Sequence, residues 1–169
     1  QPQIAAFTAT ATPKVQKDIV RQLKLFQPKV FKNSFLRANI SINLLNNYTD
    51  AQILQLVKSR LRHSGVIVYA ATRKRTEELT TLQRMEGIKS FAYHAGMDKD
   101  YRSNILQKFL ADDFQVLNAT NAFGMGVDKG NVYTVIHDSI PGSIEDLYQE
   151  AGRAGRDGTE SLSYINFSW

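Results

Sequence analysis

The chain has 169 residues, 43% of them hydrophobic and 22% charged, which is the composition of a single globular domain large enough to bury a core. It has no run of about 18 apolar residues to predict a membrane span, no charged and apolar leader typical of a signal peptide, and no cysteine for a disulfide or a thiolate zinc site. Its three histidines lack the spacing of metal ligands, so the sequence predicts no metal site of its own.

The net charge of +5 is distributed unevenly along the chain. Residues 1–84 contain 14 lysines and arginines against 4 acidic residues, a balance of +10, whereas residues 85–169 contain 7 against 12, a balance of −5. A basic segment of this kind suits a polyanionic partner such as a nucleic acid, because binding releases counterions. Basic helix surfaces that are simply solvated explain the same charge equally well.

Hydrophobic periodicity, helix caps and turn residues predict strands that alternate with helices. Strands are predicted at residues 4–8, 30–31, 40–48, 66–70, 90–93, 115–119, 132–137 and 161–167. Helices are predicted at residues 13–25 after Thr12 as N-cap, between the capping box of Thr49 and Gln52 and Gly65, and at residues 73–86, 98–110 and 143–152.

Short connections between alternating strands and helices predict an α/β fold, with a mostly parallel sheet and helices on both faces. Continuous apolar strands such as residues 66–69 fit a sheet that is covered on both sides. In such folds the functional loops lie at the carboxyl ends of the strands. The candidate binding loops are therefore residues 70–73, 94–96, 120–124 and 138–139.

Residues 148–158 (YQEAGRAGRDG) contain two arginines three positions apart, Arg153 and Arg156. Residues at this spacing share a helix face, so both guanidinium groups are predicted to point toward one target, and arginine forks onto phosphate oxygens. The helix is expected to direct Arg156 outward while its apolar side packs on the sheet. That side consists of Ile144, Leu147, Tyr148 and Ala151. A glycine-rich helix end with solvated arginines is the alternative interpretation.

The loop at residues 118–129 leaves a predicted strand with two glycines and a carboxylate. Glycines allow close approach of a ligand to the backbone, Asp128 has oxygens for ribose hydroxyls, and Thr120 has a hydroxyl for phosphate. A tight turn in which Asp128 accepts from a local amide is the alternative. The chain has no Gly-x-x-x-x-Gly-Lys-Ser/Thr phosphate loop and no Asp-Glu pair after an apolar strand, so it offers only the arginine part of a phosphoryl-transfer site.

In this order the motifs resemble those of the second RecA-like lobe of RecQ-family DNA helicases. Residues 123–129 (FGMGVDK) and 148–158 resemble helicase motifs V and VI, residues 68–73 resemble motif IV, and residues 92–97 resemble the family's Tyr-His-Ala-Gly segment. Residues 6–11 resemble motif III, and residues 34–39 the Phe-x-Arg-Pro-Asn start of the second lobe. Ala38 and Gly130 depart from the family pattern, which commonly has proline there.

The resemblance implies an ATP-dependent 3′-to-5′ DNA helicase. ATP and Mg²⁺ would bind in the full-length enzyme between this lobe, residues 28–169, and a first lobe of which residues 1–27 form the end and the interlobe helix. The implied catalytic residues are the arginine finger Arg156 and its neighbour Arg153. The implied ATP-binding residues are Gln149, Gly126, Asp128, Arg153 and Arg156. The implied DNA-binding residues are Arg37, Asn39, Arg73, His94 and Thr120.

The same resemblance implies that the chain alone binds no cofactor and is inactive. Its implied partners are DNA and the first lobe, with no membrane, in a bacterial cytoplasm at the nucleoid or in a nucleus. Two alternatives stay open. One is the second lobe of a related RNA helicase, although DEAD-box RNA helicases usually have His-Arg where this chain has Gln149 and Glu150. The other is a non-catalytic nucleic-acid-binding module.

Overall fold

The computed structural model describes residues 4–8, 11–31, 37–61, 65–123 and 129–168. The chain divides into two compact units, Gln1–Arg37 and Ala38–Trp169. In the first unit, helix α1 spans Pro13–Gln22, with Thr12 as its N-cap and proline at its first position, as predicted. The helix ends three residues before the predicted position, because Lys24 adopts a positive φ of 50° that does not continue a right-handed helix.

The strands predicted at residues 4–8 and 30–31 are wrong. Both segments have irregular backbone, and their apolar side chains are exposed, with Phe7 at 94% and Phe31 at 90%. Strand backbone groups need a partner for their hydrogen bonds, and neither segment is a strand of the sheet that the described residues form. Apolar composition alone therefore does not make these segments strands.

The second unit is an α/β domain. Its strands are β1 Ile40–Asn46, β2 Gly65–Tyr69, β3 Ser90–Tyr93, β4 Val116–Ala119, β5 Val132–His137 and β6 Ser161–Phe167. Its helices are α2 Asp50–Arg60, α3 Arg73–Met85, α4 Lys99–Leu110 and α5 Ile144–Ala151. Among the described residues the six strands form one parallel sheet in the order β1-β6-β5-β2-β4-β3. The predicted fold class is confirmed.

Local signals set the helix boundaries. The capping box is present, with the Thr49 hydroxyl accepting from the Gln52 amide and the Gln52 side chain accepting from the Thr49 amide. The Thr72 hydroxyl caps α3 by accepting from the Arg75 amide. Gly87, with a φ of +76°, ends the turn that follows α3.

Two apolar cores lie on the two faces of the sheet, as alternation along β2 requires. Val66 and Val68 belong to one core with α2 and α3, and Ile67 and Tyr69 belong to the other with α4 and Phe123. The described part of the chain has no helix that is both long and apolar enough to cross a membrane.

The carboxyl ends of three neighbouring strands are level. Tyr69 of β2 and Tyr93 of β3 are both in register with Ala119 of β4. The loops that follow these strands therefore meet along one edge of the sheet, where the parallel topology predicts ligand binding.

Candidate functional site

The arginine turn, residues 152–159, follows helix α5 and is not part of it. Backbone bonds from Arg153 to Glu150 and from Ala154 to Ala151 replace the helical pattern, and the Gly155 amide then donates to Val132 at the start of β5, 2.8 Å away. The prediction that Arg153 and Arg156 share a helix face is therefore wrong. Helical spacing fails here because the helix ends at Ala151.

Helix α5 also packs less completely than predicted. Ala151 is buried and Leu147 and Tyr148 are half-buried, but Ile144 is 58% exposed. Ile144 is the first residue of the helix, directly after the Ser143 cap. The prediction that Ile144 packs on the sheet is therefore wrong.

The two arginines of the turn have different environments. Arg153 is only 8% exposed, with its Cζ 5.4 Å from the centroid of the Phe123 ring, and it hydrogen-bonds the Tyr69 hydroxyl. That hydroxyl donates to the Phe123 carbonyl at 3.0 Å. Burial raises the pKa of Tyr69, so the hydroxyl stays protonated and keeps this bond. Arg153 thus ties the turn to the end of β2 and to the loop after β4.

Arg156 is exposed. It borders a shallow recess together with Lys129, Val132 and Phe123. The predicted exposure of Arg156 is confirmed, and its role stays a prediction. Gln149, on α5, is also exposed. Gly126 and Asp128, predicted at the nucleotide, lie outside the described residues.

Asn39, predicted to contact DNA, is half-buried against the arginine turn. Its side-chain Nδ2 donates to the carbonyl oxygens of Gly155 and Thr159, each at 2.9 Å. Its own carbonyl accepts from the Ser161 amide at 2.8 Å. Arg37 is exposed and belongs to the other compact unit.

The strand-end cluster consists of Arg73, His94 and Thr120, which follow β2, β3 and β4 at the level edge. Arg73 is exposed at the first position of α3. Its guanidinium lies over Gly96, where a β-carbon would be only 2.8 Å from Nη1. The absence of a side chain at Gly96 therefore allows Arg73 to lie across the neighbouring loop.

The other two members of the cluster are largely buried. His94 is 5% exposed, and its Nε2 lies 3.1 Å from Oε1 of Glu77 on α3. Thr120 is 8% exposed; its hydroxyl accepts from the Ala122 amide, and its amide donates to Tyr93. The structure brings all three residues to one edge, as the strand order requires, with Arg73 the most accessible.

An ion-pair network beside this cluster was not predicted from the sequence. Arg75 forks onto Asp138, with both Nε–Oδ2 and Nη2–Oδ1 at 2.8 Å, and also bonds Asp50. The hydrogen bond from Arg75 holds the pKa of Asp50 below its ordinary value. The sequence shows only that Asp138 directly follows β5 and that Arg75 lies in the first turn of α3. Their contact could not be predicted from this, because it depends on β5 lying next to β2.

A cavity of about 280 Å³ opens at the same edge, between the ends of β2 and β5 and helix α5. Its polar lining includes His137, Asp146 and Glu150. His137 stacks on Tyr69 with the ring centroids 5.7 Å apart, and its Nε2 is 3.1 Å from a Glu150 carboxylate oxygen. The cavity therefore adjoins the residues that support Arg153.

Comparison with known proteins identifies the class. Residues 48–158 match the family model described as "Helicase conserved C-terminal domain". ATP-dependent DNA helicase RecQ of Bacillus subtilis is 39% identical over 99% of this chain, and ATP-dependent helicase SGS1 of Saccharomyces cerevisiae is 41% identical over 97%. The chain belongs to the helicase conserved C-terminal domain family, and within it to the RecQ branch.

The chain spans 28% of the length of the B. subtilis relative and 12% of the S. cerevisiae relative. Among solved structures, S. cerevisiae Dbp5 bound to RNA and ADP BeF3 matches 95% of this chain and 44% of its own length, with a TM-score of 0.79 at 18% identity. Helicase Lhr of Mycobacterium smegmatis, bound to ssDNA and AMP-PNP, matches 76% of this chain with a TM-score of 0.62 at 21% identity. These structures share the RecA-like fold.

Proposed function

We propose that this chain is the second RecA-like lobe of an ATP-dependent 3′-to-5′ DNA helicase and that Arg156 is its arginine finger. The observation that carries the proposal is the difference between the two arginines of the turn. Arg153 is committed to Phe123 and Tyr69 inside the lobe, whereas Arg156, three residues later, is exposed. An arginine finger must reach a nucleotide held largely by another lobe, which only an exposed guanidinium can do.

In this proposal ATP and Mg²⁺ bind between the two lobes, and the Mg²⁺ supplies charge neutralisation at the phosphates. This chain contributes Arg156 to the γ-phosphate, with Gln149, Gly126 and Asp128 at the nucleotide. Arg153 holds the turn in place. Arg156 stabilises charge that develops in the transition state more than charge already present in bound ATP.

The strand-end cluster is the proposed contact for the backbone of single-stranded DNA. Arg73 supplies a charged, forked donor for phosphate, while His94 and Thr120 shape the edge on which it lies. Relatives named as DNA helicases support DNA as the substrate. Lhr, whose structure contains ssDNA and AMP-PNP, has the same fold and supports a nucleotide and a nucleic acid as joint ligands.

The test uses the full-length protein with Arg156→Ala and Arg156→Lys. We expect Arg156→Ala to lower the ATP turnover number at saturating DNA by about 10³-fold, with ATP affinity within a small factor. Lysine should rescue poorly, because it lacks the planar fork. Arg73→Ala is the matched control, since it removes an exposed arginine at the other region. It should weaken single-strand binding and leave turnover at saturating DNA nearly unchanged.

Three results would contradict the proposal. If Arg156→Ala leaves ATP turnover unaffected, Arg156 is not the arginine finger. Stimulation by RNA but not DNA would favour an RNA helicase lobe. DNA-stimulated ATP hydrolysis by the 169-residue chain alone would contradict its role as one half of a site, because it has no phosphate loop and no Asp-Glu pair for the metal.

A further inference from the structure

Asn39 connects the start of strand β1 to the backbone on both sides of Arg156. Its Nδ2 donates to the Gly155 carbonyl, directly before Arg156, and to the Thr159 carbonyl, three residues after it, each at 2.9 Å. These partners are 116 and 120 positions away in the sequence. One carboxamide therefore fixes both ends of the segment that presents Arg156.

Close packing around Gly155 reinforces the connection. Gly155 has a φ of +56°, and a β-carbon there would lie 2.5 Å from Nδ2 of Asn39, from Oγ of Ser161 and from the Thr159 carbonyl oxygen. On its other side, the Gly155 amide donates to the Val132 carbonyl at 2.8 Å. These contacts hold the Gly155 backbone directly against the Asn39 side chain.

The chemistry of the contact requires a primary amide. The Asn39 nitrogen carries two hydrogens, one for each carbonyl. An aspartate of the same shape has no donor at neutral pH and would place a carboxylate against two carbonyl oxygens. A shift of about 1 Å in a catalytic group is enough to cost about 100-fold in rate. The position of Arg156 therefore depends on a residue that need not touch the nucleotide.

We propose that Asn39 is a positioning residue for Arg156 and does not act as a DNA contact. The inference rests on the proposed function of Arg156. Asn39 acts only through the arginine turn. Its removal should therefore lower the rate of ATP hydrolysis at saturating DNA without lowering the affinity for ATP or for DNA. This assignment replaces the role that the family resemblance implies for Asn39.

The experiment compares Asn39→Asp and the milder Asn39→Ser, which keeps one donor, in the full-length helicase. Asn43→Ala is the matched control: Asn43 lies on β1, is half-buried like Asn39, and its Nδ2 donates to the nearby Ser41 carbonyl at 3.3 Å. We expect Asn39→Asp to lower the turnover number about 100-fold. The KM for ATP and the Kd for a single-stranded oligonucleotide should stay within about twofold, and Asn39→Ser should fall between. Asn43→Ala should match the wild type.

A double-mutant cycle separates positioning from a general structural role. In an Arg156→Ala background, Asn39→Asp should cause no further loss of turnover, because the group that it positions is already absent. The melting temperature of every variant is measured, and the assays are run at a temperature at which all of them are folded. If Asn39→Asp does not fold, Asn39→Ser takes its place in the cycle.

The outcomes distinguish this inference from the proposed function. If Arg156→Ala does not lower turnover, the proposed function fails. If Arg156→Ala does but the Asn39 variants do not, the positioning role fails. Weakened oligonucleotide binding with unchanged turnover at saturating DNA would return Asn39 to the DNA contacts. If Asn39→Asp lowers turnover by the same factor in the Arg156→Ala background as in the wild type, Asn39 acts on the lobe as a whole and not through Arg156.

Discussion

The strand-end cluster and the arginine turn contain similar side chains, but different parts of the structure hold those side chains in place. In each, one exposed arginine lies beside largely buried polar residues: Arg73 beside His94 and Thr120, and Arg156 beside Arg153. The cluster follows from strands that end level with one another. The turn depends on contacts between residues far apart in the sequence, among them the bonds from Asn39. Substitutions in the turn should therefore cost stability and chemistry, and those at the cluster should cost mainly binding.

The largest expected effect is from Gly155→Ala, which places a side chain in the crowded centre of the turn. The positive φ costs about 1–2 kcal/mol for a non-glycine residue, and forcing a methyl group against three close atoms costs about 1–3 kcal/mol more. We expect the free energy of unfolding to fall by about 2–5 kcal/mol, measured by urea unfolding of the chain.

Gly158→Ala is the control for Gly155→Ala. Gly158 also has a positive φ, +89°, but a β-carbon there would meet nothing within 4 Å. For Gly158→Ala, the free energy of unfolding should fall only by the backbone cost of the positive φ, about 1–2 kcal/mol. Equal losses for the two variants would mean that the turn relaxes readily and that its packing does not fix Arg156.

The second effect separates the two arginines by stability. Arg153→Ala removes a buried cation over Phe123 and a hydrogen bond to Tyr69, and should lower the free energy of unfolding by about 2–4 kcal/mol. Arg156→Ala should lower it by less than Arg153→Ala does, because the Arg156 side chain is exposed. Thermal or urea unfolding of both variants measures the difference. A large loss from Arg156→Ala would assign that residue to the architecture of the lobe.

The accuracy of sequence-based prediction follows the same division. The capping box at Thr49, the cap at Thr72 and the strands that carry the cluster were correctly predicted, because each depends on residues a few positions apart. Arg73, His94 and Thr120 reach one edge because parallel strands end together. The helix spacing of the arginines was wrong, because the turn is closed by bonds to Val132 and to residues near the start of β1.

Other errors have the same cause. The apolar residues 4–8 were predicted as a strand, but only a neighbouring strand can supply the hydrogen bonds that a strand needs. The contact of Arg75 with Asp138 spans 63 positions and arises from the neighbouring β2 and β5. No local pattern indicates such a contact. The roles of the site residues themselves stay predictions.

The third effect concerns binding at the strand-end cluster. Gly96→Ala would place a methyl group against the guanidinium of Arg73, whose flexible side chain can move away at little cost in stability. In the full-length protein, we expect single-strand affinity to fall several-fold. The slope of log affinity against log salt should decrease by about 0.7, the value for one lost phosphate contact.

Gly130→Ala is the control for Gly96→Ala, because a β-carbon at Gly130 would meet nothing within 4 Å. Fluorescence anisotropy with a labelled oligonucleotide at several salt concentrations measures both variants. An unchanged salt slope in Gly96→Ala would mean that Arg73 does not contact phosphate from the position that it occupies over Gly96.

The smallest expected effect is on the pH dependence of stability, and it concerns Arg75, which belongs to neither proposed binding region. Arg75 lies two residues after Arg73, but its guanidinium is held by Asp138 and Asp50. The hydrogen bond from Arg75 lowers the pKa of Asp50 below 3.8. A carboxyl group whose pKa is lower in the folded state stabilises the fold above its unfolded pKa, and this contribution is lost as pH falls through the folded value. Asp50 therefore contributes fully at neutral pH, and its contribution declines below about pH 4 until it is lost as the pH falls through the lower, folded pKa.

Asp50→Asn tests this contribution. Because the Asp50 side chain is 49% exposed, solvent screening limits the loss at neutral pH to about 1 kcal/mol or less. Urea unfolding from pH 3 to pH 7 should show a smaller decline toward acid pH in Asp50→Asn than in the wild type, with the exposed Asp113→Asn as control. An undiminished decline in Asp50→Asn would instead assign the acid sensitivity to groups such as Asp112, whose pKa is lowered by a hydrogen bond from the buried Lys129. The ion pair between Arg75 and Asp50 would then contribute little to the stability of the fold.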